Sequence, residues 1–157
     1  MKKVLIALDY DPSAEKIAAI GYDLAKAMNA DVVLLHVTAE AAYYAAMDYS
    51  PVMGYAGFNG FTSMNLSEMT DRLKTESVQF LEQSKKHLGD DSIITVVADG
   101  ETADTILFTA NEQQADIIVL GSHSRSGLDK LLMGSVAEKV LHHTKVPLFI
   151  VPTKEEK

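Results

Sequence analysis

Cysteine and tryptophan are both absent from this 157-residue chain, and proline occurs only four times. Without a thiol there is no disulfide, no thiolate nucleophile, no zinc–thiolate site and no cysteine redox sensor. Basic residues are scarce as well: 14 Lys and Arg stand against 22 Asp and Glu, a net charge of −8. A protein that grips nucleic-acid backbones by charge needs the reverse balance, so no nucleic-acid partner is expected. Long apolar runs are also missing. The longest stretch without charge, Tyr49 to Ser67, covers 19 residues, but ten of them are Gly, Pro, Ser, Thr or Asn. That composition excludes a bilayer-spanning helix, and no membrane association is expected. Lys2 and Lys3 precede the apolar run Val4 to Leu8, but Asp9 ends it too early for a signal-peptide core. The expected location is therefore cytoplasmic.

What is present is ordinary globular composition, with 47% hydrophobic and 23% charged residues. One domain over 1–157 is expected, with a solvated tail at 153–157. Five short apolar runs read as strands: Val4 to Leu8, Asp31 to Val37, Ile93 to Ala98, Asp116 to Leu120 and Leu148 to Val151. Their hydrophobicity is continuous rather than alternating, which predicts strands covered on both faces. Between them lie stripes of period 3.6. Ile17, Ile20, Gly21, Leu24, Ala25 and Met28 follow an Asp11-Pro12-Ser13 turn. Leu66, Met69, Leu73, Phe80, Leu81 and Leu88 follow Asn65, which stands at capping-box spacing from Glu68, and Gly89 ends that stripe. Ala103, Ile106, Leu107 and Ala110 form the third stripe, and Val136, Ala137, Val140 and Leu141 the fourth. The order βαβαβαβαβ calls for an α/β fold, a doubly wound five-stranded parallel sheet between helix layers.

One segment breaks the pattern. Residues 41–65 hold four of the six Tyr and three of the nine Gly, with Asp48 as their only charge. A connection of that length is either a surface insertion folded on its own domain or a lid or partner-docking patch.

In such sheets ligands bind beyond the carboxyl ends of the strands. After the fourth strand comes Gly121-Ser122-His123-Ser124-Arg125-Ser126-Gly127, and later Gly134-Ser135-Val136-Ala137-Glu138. Gly121 permits a tight exit and a close approach of backbone to ligand. Ser135 and Glu138 have capping-box spacing, and a helix start there offers unpaired N–H groups to a phosphate. No Walker A loop occurs, and no G-x-G-x-x-G follows the first strand. His36 lies within an apolar strand and reads as a satisfied core histidine. His142 and His143 are adjacent, so they diverge on a helix and cannot chelate one metal together. Ser122, His123 and Ser124 suggest a nucleophile–base pair only on paper, because adjacent residues rarely meet productively and no orienting acid accompanies them.

The spacing of Gly121, Ser124 and Gly134-Ser135 resembles the nucleotide-binding branch of the universal stress protein family. That branch carries glycine, two residues, glycine, nine residues, then glycine with Ser or Thr. Lys3 to Asp9, Leu34 to Val37, Ala115 to Gly121 and Val146 to Pro152 extend the resemblance over nearly the whole chain. Ser124 departs from it, standing where the pattern has its second glycine.

The resemblance implies strand order 3-2-1-4-5 and an ATP site. Asp9 would stand near the ribose, the Val37 backbone would read the adenine edge with Ala7 nearby, and Leu120 and Gly121 would line the ribose side. Ser124, Gly134, Ser135 and Val136 would surround the phosphates, with Mg²⁺ bridging phosphate oxygens rather than filling a protein cage. It also implies a homodimer through the last strand, residues 146–151. The expected role is a nucleotide-dependent stress or signalling module rather than a metabolic enzyme. The alternatives are a dimeric interaction protein that binds no nucleotide, and a slow ATPase.

Overall fold

A computed structural model describes residues 1–38, 65–123 and 133–153. Five strands and four helices alternate: β1 (Lys3–Ala7), α1 (Ala14–Ala27), β2 (Asp31–Thr38), α2 (Asn65–Leu88), β3 (Ile94–Asp99), α3 (Thr102–Glu112), β4 (Ile117–Gly121), α4 (Ser135–His143) and β5 (Leu148–Val151). The strands form one parallel sheet in the order β3-β2-β1-β4-β5. Both the fold class and the strand order are as the sequence implied.

Alternation along the strands divides the core in two. Val4, Ile6, Val32 and Leu34 face the layer of α1 and α2. Leu5, Val33, Leu35 and Ile118 face that of α3 and α4. Both sets are almost wholly buried, which explains why the central strands read as unbroken apolar runs. Edge strand β3 differs: none of its residues is fully buried, and Ile94 is 44% exposed. Continuous hydrophobicity there does not mean two covered faces, because an edge strand has a neighbour on one side only.

Glycine and left-handed residues set the packing distances and the helix ends. At Gly21 a Cβ would fall 2.7 Å from Ile6 Cδ1, so only glycine lets α1 lie this close to the sheet. Helix α1 stops at Asn29 (φ 53°), which donates to Lys26 O, while Ala30 N–H reaches back to Ala25 O. Helix α3 stops in the same way at Gln114 (φ 54°), with Ala115 N–H donating to Ala110 O. These are Schellman ends without the usual glycine. Gly89 (φ 71°) ends α2 as its sequence suggested. The side chains of Asn65, Leu66 and Met69, and the 41–65 segment up to residue 64, lie outside the described residues.

A polar cluster ties the end of α1 to the turn before β3. The Asp90 carboxylate accepts from Ser92, Lys26 and Tyr22. The Ser92 hydroxyl and the Lys26 ammonium hold that carboxyl well below the usual carboxylate range.

Candidate functional site

Strand order determines where a site can form. The chain leaves β1 toward β2 on one side and β4 toward β5 on the other, so a crevice opens beyond the carboxyl ends of β1 and β4. A cleft of about 130 Å³ lies there, open to solvent on one side. Ala7 and Asp9 from β1 and its exit, Val37 from β2, and Leu120 and Gly121 from β4 line it, together with Gly134 and Val136 at the start of α4. Seven of the nine residues singled out from the sequence thus meet at one place. Ser135, the first residue of α4, is exposed between two of these lining residues. Ser124 lies outside the described residues.

The helix start differs from the sequence reading. Gly134, not Ser135, is the N-cap of α4, and it supplies no side-chain cap. Glu138 therefore does not close a capping box with Ser135; its carboxylate instead lies 3.8 Å from His142 Nε2. The cause is backbone packing. Gly134 N–H donates to Ser122 O at 2.6 Å, and a Cβ at Gly134 would sit 3.0 Å from that oxygen and 3.3 Å from His123 Cα. The N-cap of α4, at the edge of the cleft, is thus a glycine with no side chain of its own to offer the first N–H groups.

Gly121 is also explained by contacts rather than by conformation. A Cβ there would lie 2.7 Å from Ile17 Cδ1 and 2.9 Å from Thr153 Cγ2. The residue is small because α1 and the end of β5 crowd it; its φ is not in the left-handed region.

The cleft wall includes residues that local reasoning did not select. Asp11 and Ser13 begin α1, with the Asp11 carboxylate accepting from Ser13 N–H and Oγ–H. Thr102 and Ile106 come from one face of α3, and their i, i+4 spacing was the available signal. Ser122 and His123 also line the cleft, and their side chains do meet: Ser122 Oγ lies 3.0 Å from His123 Nδ1. That corrects the expectation for adjacent residues. The Ser122 hydroxyl is nevertheless buried and accepts from Thr153 N–H, which suits it to holding backbone rather than attacking a substrate.

His36 is buried and donates Nδ1–H to Leu8 O at 2.8 Å, packed between Tyr10 and Phe80, as a core histidine. His143 likewise donates to the backbone, at Lys139 O. Among the described residues no group of three His, Asp or Glu could hold a metal ion. Nor is any helix among them long and apolar enough to cross a membrane.

The fold and this cleft can be set beside known proteins. The chain belongs to the universal stress protein family, whose model matches residues 1–152. It is 31% identical over 156 residues to Universal stress protein MJ0577 of Methanocaldococcus jannaschii, covering 98% of this chain and 96% of that one. Universal stress protein YxiE of Bacillus subtilis is 30% identical over 151 residues, with 95% and 97% covered. The solved structure of MJ0577 matches with a TM-score of 0.72 over 99% of this chain and 98% of that chain, at 25% identity. A universal stress protein solved in complex with cAMP matches with a TM-score of 0.61 at 20% identity, covering 96% and 95%. That last likeness concerns the fold.

Proposed function

We propose that this universal stress protein is a cytoplasmic, nucleotide-dependent stress or signalling module that binds ATP, not a metabolic enzyme. The observation that carries this reading is the start of α4: a helix N-terminus whose N-cap is glycine, with no side-chain cap of its own, opening on the cleft at the topological switch point. Such a terminus presents N–H groups and a positive dipole end to an anion. A family member solved with cAMP is consistent with a phosphorylated adenosine as the ligand class. The apolar floor of Ala7, Val37 and Leu120 suits a base, and Asp9 at the exit of β1 suits a ribose hydroxyl. At about 130 Å³ the enclosed part is smaller than a typical whole-ligand pocket, so phosphates would extend toward the open side, past Gly121 to Gly134, Ser135 and Val136, with Ser124 in the connection between.

Magnesium would rest on phosphate oxygens, since the described residues provide no cage for it. Calorimetry with ATP and Mg²⁺ tests the reading: a dissociation constant in the micromolar range, about −8 kcal/mol, is expected. No heat from the folded protein overturns it.

A homodimer through residues 146–151 belongs to the same proposal. Strand β5 is an edge, and Phe149 is 40% exposed on it, which leaves an apolar strand in need of cover. Light scattering giving twice the chain mass supports this, and the monomer mass at tens of micromolar rejects it. Residues 41–65 are proposed, on composition alone, as the surface for a protein partner.

A further inference from the structure

The ladder between β4 and β5 ends with Gly121 opposite Val151, and Ser122 N–H still donates to Val151 O at 2.9 Å. Beyond that point side-chain hydroxyls replace backbone partners. Thr153 N–H donates to Ser122 Oγ at 3.0 Å. Thr153 Oγ1 accepts from His123 N–H at 3.0 Å and donates to His123 O, also at 3.0 Å. A hydroxyl has one proton, so with the Thr153 proton on His123 O, Ser122 is the donor in its contact with Thr153 Oγ1 (3.3 Å), while the histidine tautomer sets the direction of the bond between Ser122 Oγ and His123 Nδ1 (3.0 Å). The other side of the Ser122–His123 peptide faces Gly134, whose N–H donates to Ser122 O. One peptide of the cleft wall is therefore held between Thr153 and the start of α4.

We propose that Thr153 is a positioning residue of the cleft: its hydroxyl clamps the Ser122–His123 peptide against Gly134 and so sets where α4 presents its first N–H groups. This rests on the nucleotide reading above and adds to it a residue from beyond the last strand. The residue type fits the task. The Thr153 methyl packs where Gly121 has no Cβ, and its hydroxyl satisfies both backbone groups of His123. Valine keeps the shape and loses the hydroxyl, leaving two half-buried backbone groups without that partner. Serine keeps the hydroxyl and loses only the methyl.

The test compares ATP and adenosine, titrated by calorimetry or competition, on the unmodified protein, Thr153→Val and Thr153→Ser, all shown to be folded at the working temperature. Because the clamp acts on the phosphate side, Thr153→Val is expected to weaken ATP about tenfold, corresponding to 1.4 kcal/mol, and to leave adenosine within about twofold. Thr153→Ser should return ATP affinity to within about threefold of the unmodified protein, by the same scale. Amide exchange at His123 should speed up in Thr153→Val while β4 keeps its protection. Thr153→Ala, read in the same way, serves if the valine variant does not fold. ATP affinity unchanged in Thr153→Val, or ATP and adenosine weakened alike, overturns the clamp alone. An unmodified protein that binds neither ligand removes the nucleotide reading, and the clamp with it.

Discussion

Two helices start at the same cleft and are finished differently. Helix α3 begins at Glu101, whose carboxylate accepts from Asp104 N–H at 2.7 Å and lies 3.2 Å from the Lys139 ammonium. Lys139 also lies 3.2 Å from Asp104, and the Glu101 and Asp104 carboxylates raise its pKa. That helix start is already supplied with an anion from its own chain, and a second one would meet its repulsion. Helix α4 begins at Gly134, an N-cap that has no side chain to offer its N–H groups. Dipole and geometry are alike at both ends, so the difference lies in the neighbouring side chain. The lesson is that a helix N-terminus becomes a candidate anion site only where the protein has left it uncapped.

The largest effect should come from covering the uncapped start. Gly134→Val places a Cβ 3.0 Å from Ser122 O, so the start of α4 must shift off the 122–123 peptide. ATP affinity is expected to fall by on the order of a hundredfold, about 2.7 kcal/mol, with the helical circular dichroism retained. Calorimetry checks this; affinity within threefold of the unmodified protein would remove α4 as the phosphate cradle.

Next comes the capped start. Glu101→Ala should lower stability by about 0.5–1 kcal/mol through the lost cap, read from urea unfolding. ATP affinity should hold or rise slightly, because a negative charge near the cleft is removed. A large loss of affinity would mean that the two starts are not divided as described.

The same division separates the carboxylates. Asp9 faces the cleft, whereas Asp90 is engaged by Ser92, Lys26 and Tyr22. Its folded pKa lies below the unfolded value of about 3.9. The stabilisation is therefore fully present above pH 4 and is lost as the pH falls below that toward the folded value. Asp90→Asn should melt lower than the unmodified protein at pH 7, with the gap closing below pH 4. A gap independent of pH would show that charge is not the cause.

The smallest effect concerns helix stops. Gln114 holds φ 54° without being glycine. Gln114→Gly should raise stability by about 0.5–1 kcal/mol, or about 1–4 °C in melting temperature, and leave ATP affinity unchanged. Scanning calorimetry checks it, and a lower melting point would contradict the backbone argument.

Much of the fold was legible in the sequence. Val4 to Leu8 and Asp31 to Val37 read as strands because burial on both faces leaves no polar alternation to confuse the pattern. The cleft was legible where a lining residue ends a strand or stands just beyond it, as Gly121 and Asp9 do. It was not legible where the reason for a residue is a contact distant in sequence. Gly121 is crowded by Ile17, and Gly134 by Ser122, neither of which spacing alone can show. Thr153 read as the first residue of a solvated tail, yet it is half-buried and bonded across 30 residues to His123.

By itself, then, the sequence determined the alternation of strands and helices, their approximate limits and the edge of the sheet where a ligand can bind. Those follow from local rules: the period of hydrophobicity, the residues that start and stop helices, and the absence of thiols and of positive charge. Tertiary structure alone decided which helix start is left uncapped, why two glycines cannot carry a side chain, and which hydroxyl replaces a backbone partner where β4 and β5 part. Each of these is set by atoms within 3 Å of one another in space but far apart in the chain, and no periodicity records such a contact.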